Sequence, residues 1–302
     1  MNYKKKITFI IAIIFCFISV NNYTNSNKIK SIHLLLKKIN SLAPDLVFHG
    51  AEKTLHKITE TIEKKEKGIF LRFGDGELFT ANGKTRSKYQ KWEKLLEMEL
   101  REALALDGEN VMKAIPLHNK KLGTIEPGMF IGNHEHTLKY CILFLELLKP
   151  FWGKIRNAYS HPALHYFAIY RQREFVQFCK LIKKHKCIFV GNKDIPLNIV
   201  KTLFGKKCKF VPTPPKNAYD KIKRIEKECL EKATNNNNEY TIIVTAMGIG
   251  SKALQKRIWK KLDNVFLLDL GSLIDYFCGW KTRQWIEDTK LDRKKILRML
   301  KN

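Results

Sequence analysis

The last third of the chain alternates short apolar runs with helical stretches, and no other feature limits the fold as tightly. KCIFVGN, KCKFVPTP, EYTIIVTAMG and NVFLLDLG are followed in turn by IPLNIVKTLFG, KNAYDKIKRIEKECLEKA, SKALQKRIWKKL and SLIDYFCGW. Strands that read apolar throughout are buried on both faces, and a helix after each supplies the right-handed crossover that parallel neighbours need. The expectation is an α/β fold: a mostly parallel sheet flanked by helices. Gly68 stops a helical pattern that runs from Lys28 to Lys67, and IFLRF then predicts the first strand. Lys88 to Leu106 returns to helix, while the middle, from about Asp107 to Lys186, is less regular.

The amino terminus has a different pattern. Lys4-Lys5-Lys6 precedes an uncharged run from Ile7 to Val20, and polar NNYTNSNK follows at once. That order reads as a signal peptide or a short signal anchor over residues 1–27. The rest is then expected to be periplasmic, in the secretory pathway or otherwise extracytoplasmic, with membrane association through residues 7–20. Residues 28–67 read as a helical segment, 68–290 as the α/β domain and 291–302 as a basic tail.

With 56 Lys and Arg against 29 Asp and Glu, the formal net charge is +27. Phosphates, anionic lipid and acidic glycans are the neighbours such a charge favours. Many of the lysines, among them Lys252, Lys256, Lys260 and Lys261, recur along predicted helices and read as a solvated basic face. No zinc finger, aromatic RNA-binding motif or basic zipper accompanies them, so no specific nucleic-acid partner is expected. Seven cysteines show no CxxC pair; an exported chain can oxidise some, but their spacing assigns no partners.

Ligands of open parallel sheets sit beyond the carboxyl ends of the strands. The first strand ends in Arg72-Phe73-Gly74-Asp75-Gly76-Glu77. In an extended or turning backbone Asp75 and Glu77 can direct both carboxylates at one divalent ion, while Gly74 and Gly76 let a diphosphate approach and Arg72 offers it a planar fork. A tight turn with Glu77 capping the next helix accounts for the same residues. Sequence spacing leaves the two readings level.

The stretch FLRFGDGELFTANGKTRSKYQKWEKLLEMEL resembles the signature of the GT-D-type glycosyltransferases, a Rossmann-like family with an Arg-Phe-Gly-Asp-Gly-Glu motif and a tyrosine on the next helix. The resemblance continues through CIFVGN, FVPTPPKNAYDKI, IIVTAMGIGSKALQKRIW and LLDLGSLIDYF, covering roughly Gly68 to Trp285. It implies a Rossmann-like hexosyltransferase using a nucleotide-diphosphate sugar, with a UDP-sugar favoured and a glycan or glycoprotein hydroxyl as acceptor. It also implies that Asp75 and Glu77 hold the divalent cation, Mn²⁺ or Mg²⁺. Gly191, Asn217, Met247, Gly248 and Gly250 become candidate donor contacts.

Each of these has a plain structural alternative. Gly248 and Gly250 open a helix at Ser251, where free N–H groups hold a phosphate or where strand and helix simply pack. Asn217 is equally an N-cap candidate. Asp269, Ser272 and Asp275 follow the last strand; an acid there orients a sugar or accepts a proton, or the group caps a helix. His134-Glu135-His136 lacks the spacing of a zinc helix, since residues two apart diverge by about 200°. The loops around it and around Asn157 to His161 are expected to line the cleft, with Asn133 and Tyr159 as contacts. A methyltransferase, a nucleotide hydrolase and a non-enzymatic glycan- or nucleic-acid-binding module are the rival readings.

Overall fold

The structure is a computed structural model that describes residues 34, 37–38, 41–42, 46–84, 89–116, 142–151, 155, 157–235, 239–288 and 292–301. The leader, the His134-Glu135-His136 segment and Asn133 lie outside the described residues. Eight strands form one sheet: β1 (Val47–His49), β2 (Gly68–Arg72), β3 (Val111–Ile115), β4 (Asn157–Ser160), β5 (Lys186–Asn192), β6 (Lys209–Thr213), β7 (Thr241–Ala246) and β8 (Val265–Asp269). Their order is β1-β4-β3-β2-β8-β7-β5-β6, and every pairing is parallel.

Alternation along β2 divides the interior in two. Ile69 and Leu71 face one core and Phe70 the other, as the two-residue period of a strand requires. The first core lies under α2 (Asp75–Ala81), α3 (Lys94–Ala105), α7 (Ile222–Thr234) and α8 (Gly250–Trp259). The second is covered by α1 (Ala51–Glu63), α4 (Ala163–Tyr170), α5 (Gln172–Lys183), α6 (Leu197–Phe204), α9 (Leu273–Cys278) and α11 (Arg293–Lys301), with α10 (Gln284–Asp288) between the last two in sequence. Helices on both faces explain why the central strands read apolar throughout.

Several elements depart from the sequence expectation. The segment 28–67 is not helical throughout, because β1 adds an edge strand by pairing with β4. Asn157 to Ser160 is that β4 rather than a cleft loop. Residues 293–301 of the basic tail form α11, whose Ile296 and Leu300, four apart, are buried in the second core. Among the described residues, no helix is long and apolar enough to cross a membrane.

Candidate functional site

The carboxyl ends of β2, β5, β6, β7 and β8 surround the site. After β5 the chain moves outward to β6, whereas after β7 it moves inward to β8, so the loops beyond β5 and β7 diverge. Such a switch in direction opens a crevice above the sheet. A cavity of about 530 Å³ lies here, lined by Asp75, Gly76, Glu77, Tyr89, Gln90, Asn192, Thr213, Pro214, Pro215, Ala218, Ala246, Met247, Gly248, Ile249, Asp275, Trp280, Thr282 and Arg283.

The acid pair sits in the first turn of a helix, which Glu77 caps as one of the two sequence readings expects. Helix α2 begins at Asp75 with Gly74 as N-cap, and the Gly74 N–H donates to Glu77 Oε2 at 3.0 Å. Two residues apart on a helix, the carboxylates point different ways. Asp75 is exposed at the cavity, its Oδ1 accepting the Gly76 N–H at 2.9 Å. Glu77 turns inward, where Lys252 Nζ donates to its Oε1 at 2.6 Å. Both Glu77 oxygens are therefore engaged in this arrangement, and Asp75 alone of the pair is open to the cavity.

Lys252 is the main correction to the sequence reading. Although counted with the solvated lysines, it is 4% exposed, and Lys256 is buried as well. Its ammonium lies between Glu77 and Asp269, with Asp269 Oδ2 at 2.7 Å as a close ionic contact. Burial alone would raise the Glu77 pKa, but the charge and hydrogen bond of Lys252, with the Gly74 N–H, hold it below the usual carboxylate value. Burial would likewise lower the Lys252 pKa, and the two carboxylates outweigh it.

Arg72 completes this buried layer. Its Nε donates to the His161 carbonyl at 2.9 Å and its Nη1 to the Leu270 carbonyl at 3.0 Å, so it braces the loop after β8 rather than facing the cavity. Gly271 has φ +57°, and a Cβ there would lie 2.0 Å from Arg72 Nη1. Only glycine fits that close approach. Asp269 Oδ1 accepts the Gly271 N–H at 3.0 Å, tightening the same turn. Two cations and two anions thus form a charge-balanced floor.

The remaining predicted residues divide clearly. Met247, Gly248 and Asp275 line the cavity with Asp75, Gly76 and Glu77. Gly248 has φ +64°, and among the described residues nothing lies within 4 Å of where a Cβ would stand, which leaves its backbone approachable. Gly250 lies behind the loop against Met247, and Met247 N–H donates to Ser251 Oγ at 3.1 Å. Gly191 is buried in β5 beside Ile195. Tyr159 is 8% exposed in the second core, stacked at a tilt on His49 with centroids 4.9 Å apart. Ser272 Oγ accepts the Trp285 indole N–H at 3.3 Å. Asn217 makes no side-chain cap: its N–H donates to the Tyr89 carbonyl at 2.8 Å and its Oδ1 accepts the Lys91 N–H at 2.9 Å. It holds the Tyr89 loop in place from behind.

That loop and the segment after α9 supply residues the sequence reading missed. Arg283 places its guanidinium 5.2 Å from the Tyr89 ring centroid, so cation and aromatic face form one wall of the cavity. Asp275 accepts the Thr282 hydroxyl at 2.6 Å. Burial raises its pKa, partly offset by that hydrogen bond and by the charge of Arg283. Among the described residues, no group of three or more His, Cys, Asp or Glu side chains is arranged to hold a metal ion.

An all-parallel sheet covered on both faces, with a polar, glycine-edged crevice over its strand ends, defines a Rossmann-like α/β protein. The family model described as Glycosyltransferase GT-D fold matches residues 70–298. The chain belongs to that family and is a glycosyltransferase. Among solved structures it is similar to "A New Glycosyltransferase (DUF1792) from Streptococcus sanguinis", at 19% identity and a TM-score of 0.54 over 78% of this chain and 86% of that one. A domain of unknown function 1792 described as having a distinct glycosyltransferase fold is similar at 17% identity and a TM-score of 0.59, over 82% and 88%. These likenesses concern the fold. No curated protein matches the chain.

Proposed function

We propose that the chain transfers a hexose from a UDP-sugar to a hydroxyl of a glycan or glycoprotein, with the donor in the cavity above β2, β7 and β8. The observation that carries this reading is the meeting of Asp75, the open Gly248 backbone and Arg283 around one cavity of about 530 Å³. Arg283 offers a diphosphate a planar set of donors, and the Tyr89 ring lies 5.2 Å from its guanidinium. Gly248 admits a phosphate close to the main chain.

Asp75 suits the role of metal ligand because its carboxylate is exposed at the cavity and free of a cation partner among the described residues. Mg²⁺ commonly takes one or two carboxylates and completes its shell with phosphate oxygens and water. Mn²⁺ or Mg²⁺ held by Asp75 and the donor diphosphate would neutralise charge on the departing group. Glu77, Lys252 and Asp269 fix the helix that presents Asp75. Asp275, with its raised pKa, accepts the proton of the acceptor hydroxyl as the acceptor oxygen bonds to the anomeric carbon and the sugar–phosphate bond breaks. The basic, apolar and polar order of residues 1–27 supports an extracytoplasmic, membrane-associated setting for the reaction.

The test is thermal stability with UDP, GDP or S-adenosylmethionine, each with and without Mn²⁺, for the wild type and Asp75→Ala. Ligands that bind the native state alone raise its melting temperature. The expected result is stabilisation by UDP that requires Mn²⁺ and is lost in the variant. A cooperatively folded protein that responds to no nucleotide, or to S-adenosylmethionine alone, overturns the proposal.

A further inference from the structure

No cysteine among the described residues lines the cavity, yet the fold brings two of them side by side. Cys187 is the second residue of β5, and Cys208 stands immediately before β6. These strands are parallel neighbours, with Ile188 opposite Lys209 and Phe189 opposite Phe210. One step back from the first pair, Cys187 and Cys208 fall opposite each other. Their side chains share a face, because both pack into the second core with Phe189 and Phe210, whose rings are 5.7 Å apart.

Neighbouring strands lie about 4.7–4.9 Å apart, within the roughly 4.4–6.8 Å between Cα atoms that a disulfide spans. Accessibility differs usefully across the pair. Cys208 is half-buried just before the edge strand, and Cys187 on the neighbouring strand is 2% exposed. Cys179 is buried in the same core on α5, while Cys229 belongs to the core on the opposite face of the sheet.

We propose that Cys187 and Cys208 form an oxidisable dithiol that closes to an intrachain disulfide when the chain meets a disulfide oxidant. The Cys208 thiolate attacks one sulfur of the oxidant and releases the first oxidant thiolate. The Cys187 thiolate then attacks Cys208 Sγ, forming the Sγ–Sγ bond and expelling the second. Two electrons pass to the oxidant, and the two protein thiol protons end on the two oxidant thiols. The second step is the slower one, because burial of Cys187 disfavours its thiolate. The bridge lies at the amino ends of the strands and the cavity at their carboxyl ends, while the loop it closes holds α6 and the rest of β5, including the cavity residue Asn192.

The experiment incubates the full-length chain in detergent with oxidised glutathione, alkylates the free thiols and maps proteolytic peptides by mass spectrometry. The expected product is a Cys187–Cys208 linked peptide, with a melting temperature raised by roughly 5–10 °C over the reduced protein. Cys208→Ser, mild at a half-exposed position, should remove the linkage and the shift. A glutathione adduct that persists on Cys208, a bridge from either residue to Cys179, or alkylation of both thiols overturns the proposal. The wild-type peptide map decides the matter even where the variant folds poorly.

Discussion

Lys252 Nζ lies 2.6 Å from Glu77 Oε1, joining the first turn of α8 to the first turn of α2. Lys252→Met would leave Glu77 and Asp269 buried without their cation. Breaking a buried ion pair on one side costs about 3–5 kcal/mol. For a domain of this size that lowers the melting temperature by roughly 6–20 °C. Urea unfolding of Lys252→Met, Glu77→Gln and the double variant checks it: the double loss should be smaller than the sum. Strict additivity would show that the two residues do not act together.

Asp75 behaves oppositely, since it faces the cavity and supports no packing. Asp75→Ala is expected to change stability by no more than about 0.5 kcal/mol. If Asp75 holds the proposed cation, its loss removes several kcal/mol of charge stabilisation, and sugar transfer should fall by about a hundredfold or more. Melting temperature and kcat measured on the same preparation separate the effects. A variant that melts normally and turns over at the wild-type rate removes Asp75 from the mechanism.

The contrast between these two acids shows what the sequence could convey. The strands from β5 to β8 were legible because each is an unbroken apolar run with a helix behind it. Strands β1 and β4 were not: VFH and NAYS are short, and neither carries an apolar run. In β3 the buried Lys113 hides the pattern further. Asp75 and Glu77 were found as a pair, but their directions depend on whether α2 begins at Asp75 or later, which composition does not specify. Lys252 was misread because burial of a lysine requires carboxylates, and Glu77 and Asp269 reach it from elements 175 residues before and 17 after in sequence. Its signal was nevertheless present in a lysine one turn into the helix that follows the Gly-x-Gly loop. Arg283 met Tyr89 through tertiary structure alone.

Arg283 is expected to act on donor affinity more than on folding. Hydrogen bonds to charged groups contribute about 1.5–3 kcal/mol, so Arg283→Ala should weaken UDP binding by roughly 10- to 100-fold. Arg283→Lys keeps the charge but loses the planar fork of donors, and should lie between the two. Calorimetric titration with UDP and Mn²⁺ gives the three affinities. Equal affinity in all three places the diphosphate elsewhere in the cavity.

His165 sets a pH limit on stability. It is 3% exposed, its ring lies edge-on to Trp285 with centroids 4.8 Å apart, and its buried Nδ1 has no hydrogen-bond partner among the described residues. Burial, then the charge of Arg72, lowers its pKa well below the usual histidine value. The folded state therefore keeps this ring neutral, while the unfolded chain takes up a proton as pH falls through about 6.5. Because the unfolded state then binds more protons, this contribution is full above that pH. Below it, stability declines by up to about 1.4 kcal/mol per pH unit until the folded pKa is reached. Unfolding free energies measured from pH 7.5 to pH 5 should show that slope in the wild type and lose it in His165→Phe, which keeps an aromatic edge against Trp285. An identical slope in both proteins would assign the acid sensitivity to other groups.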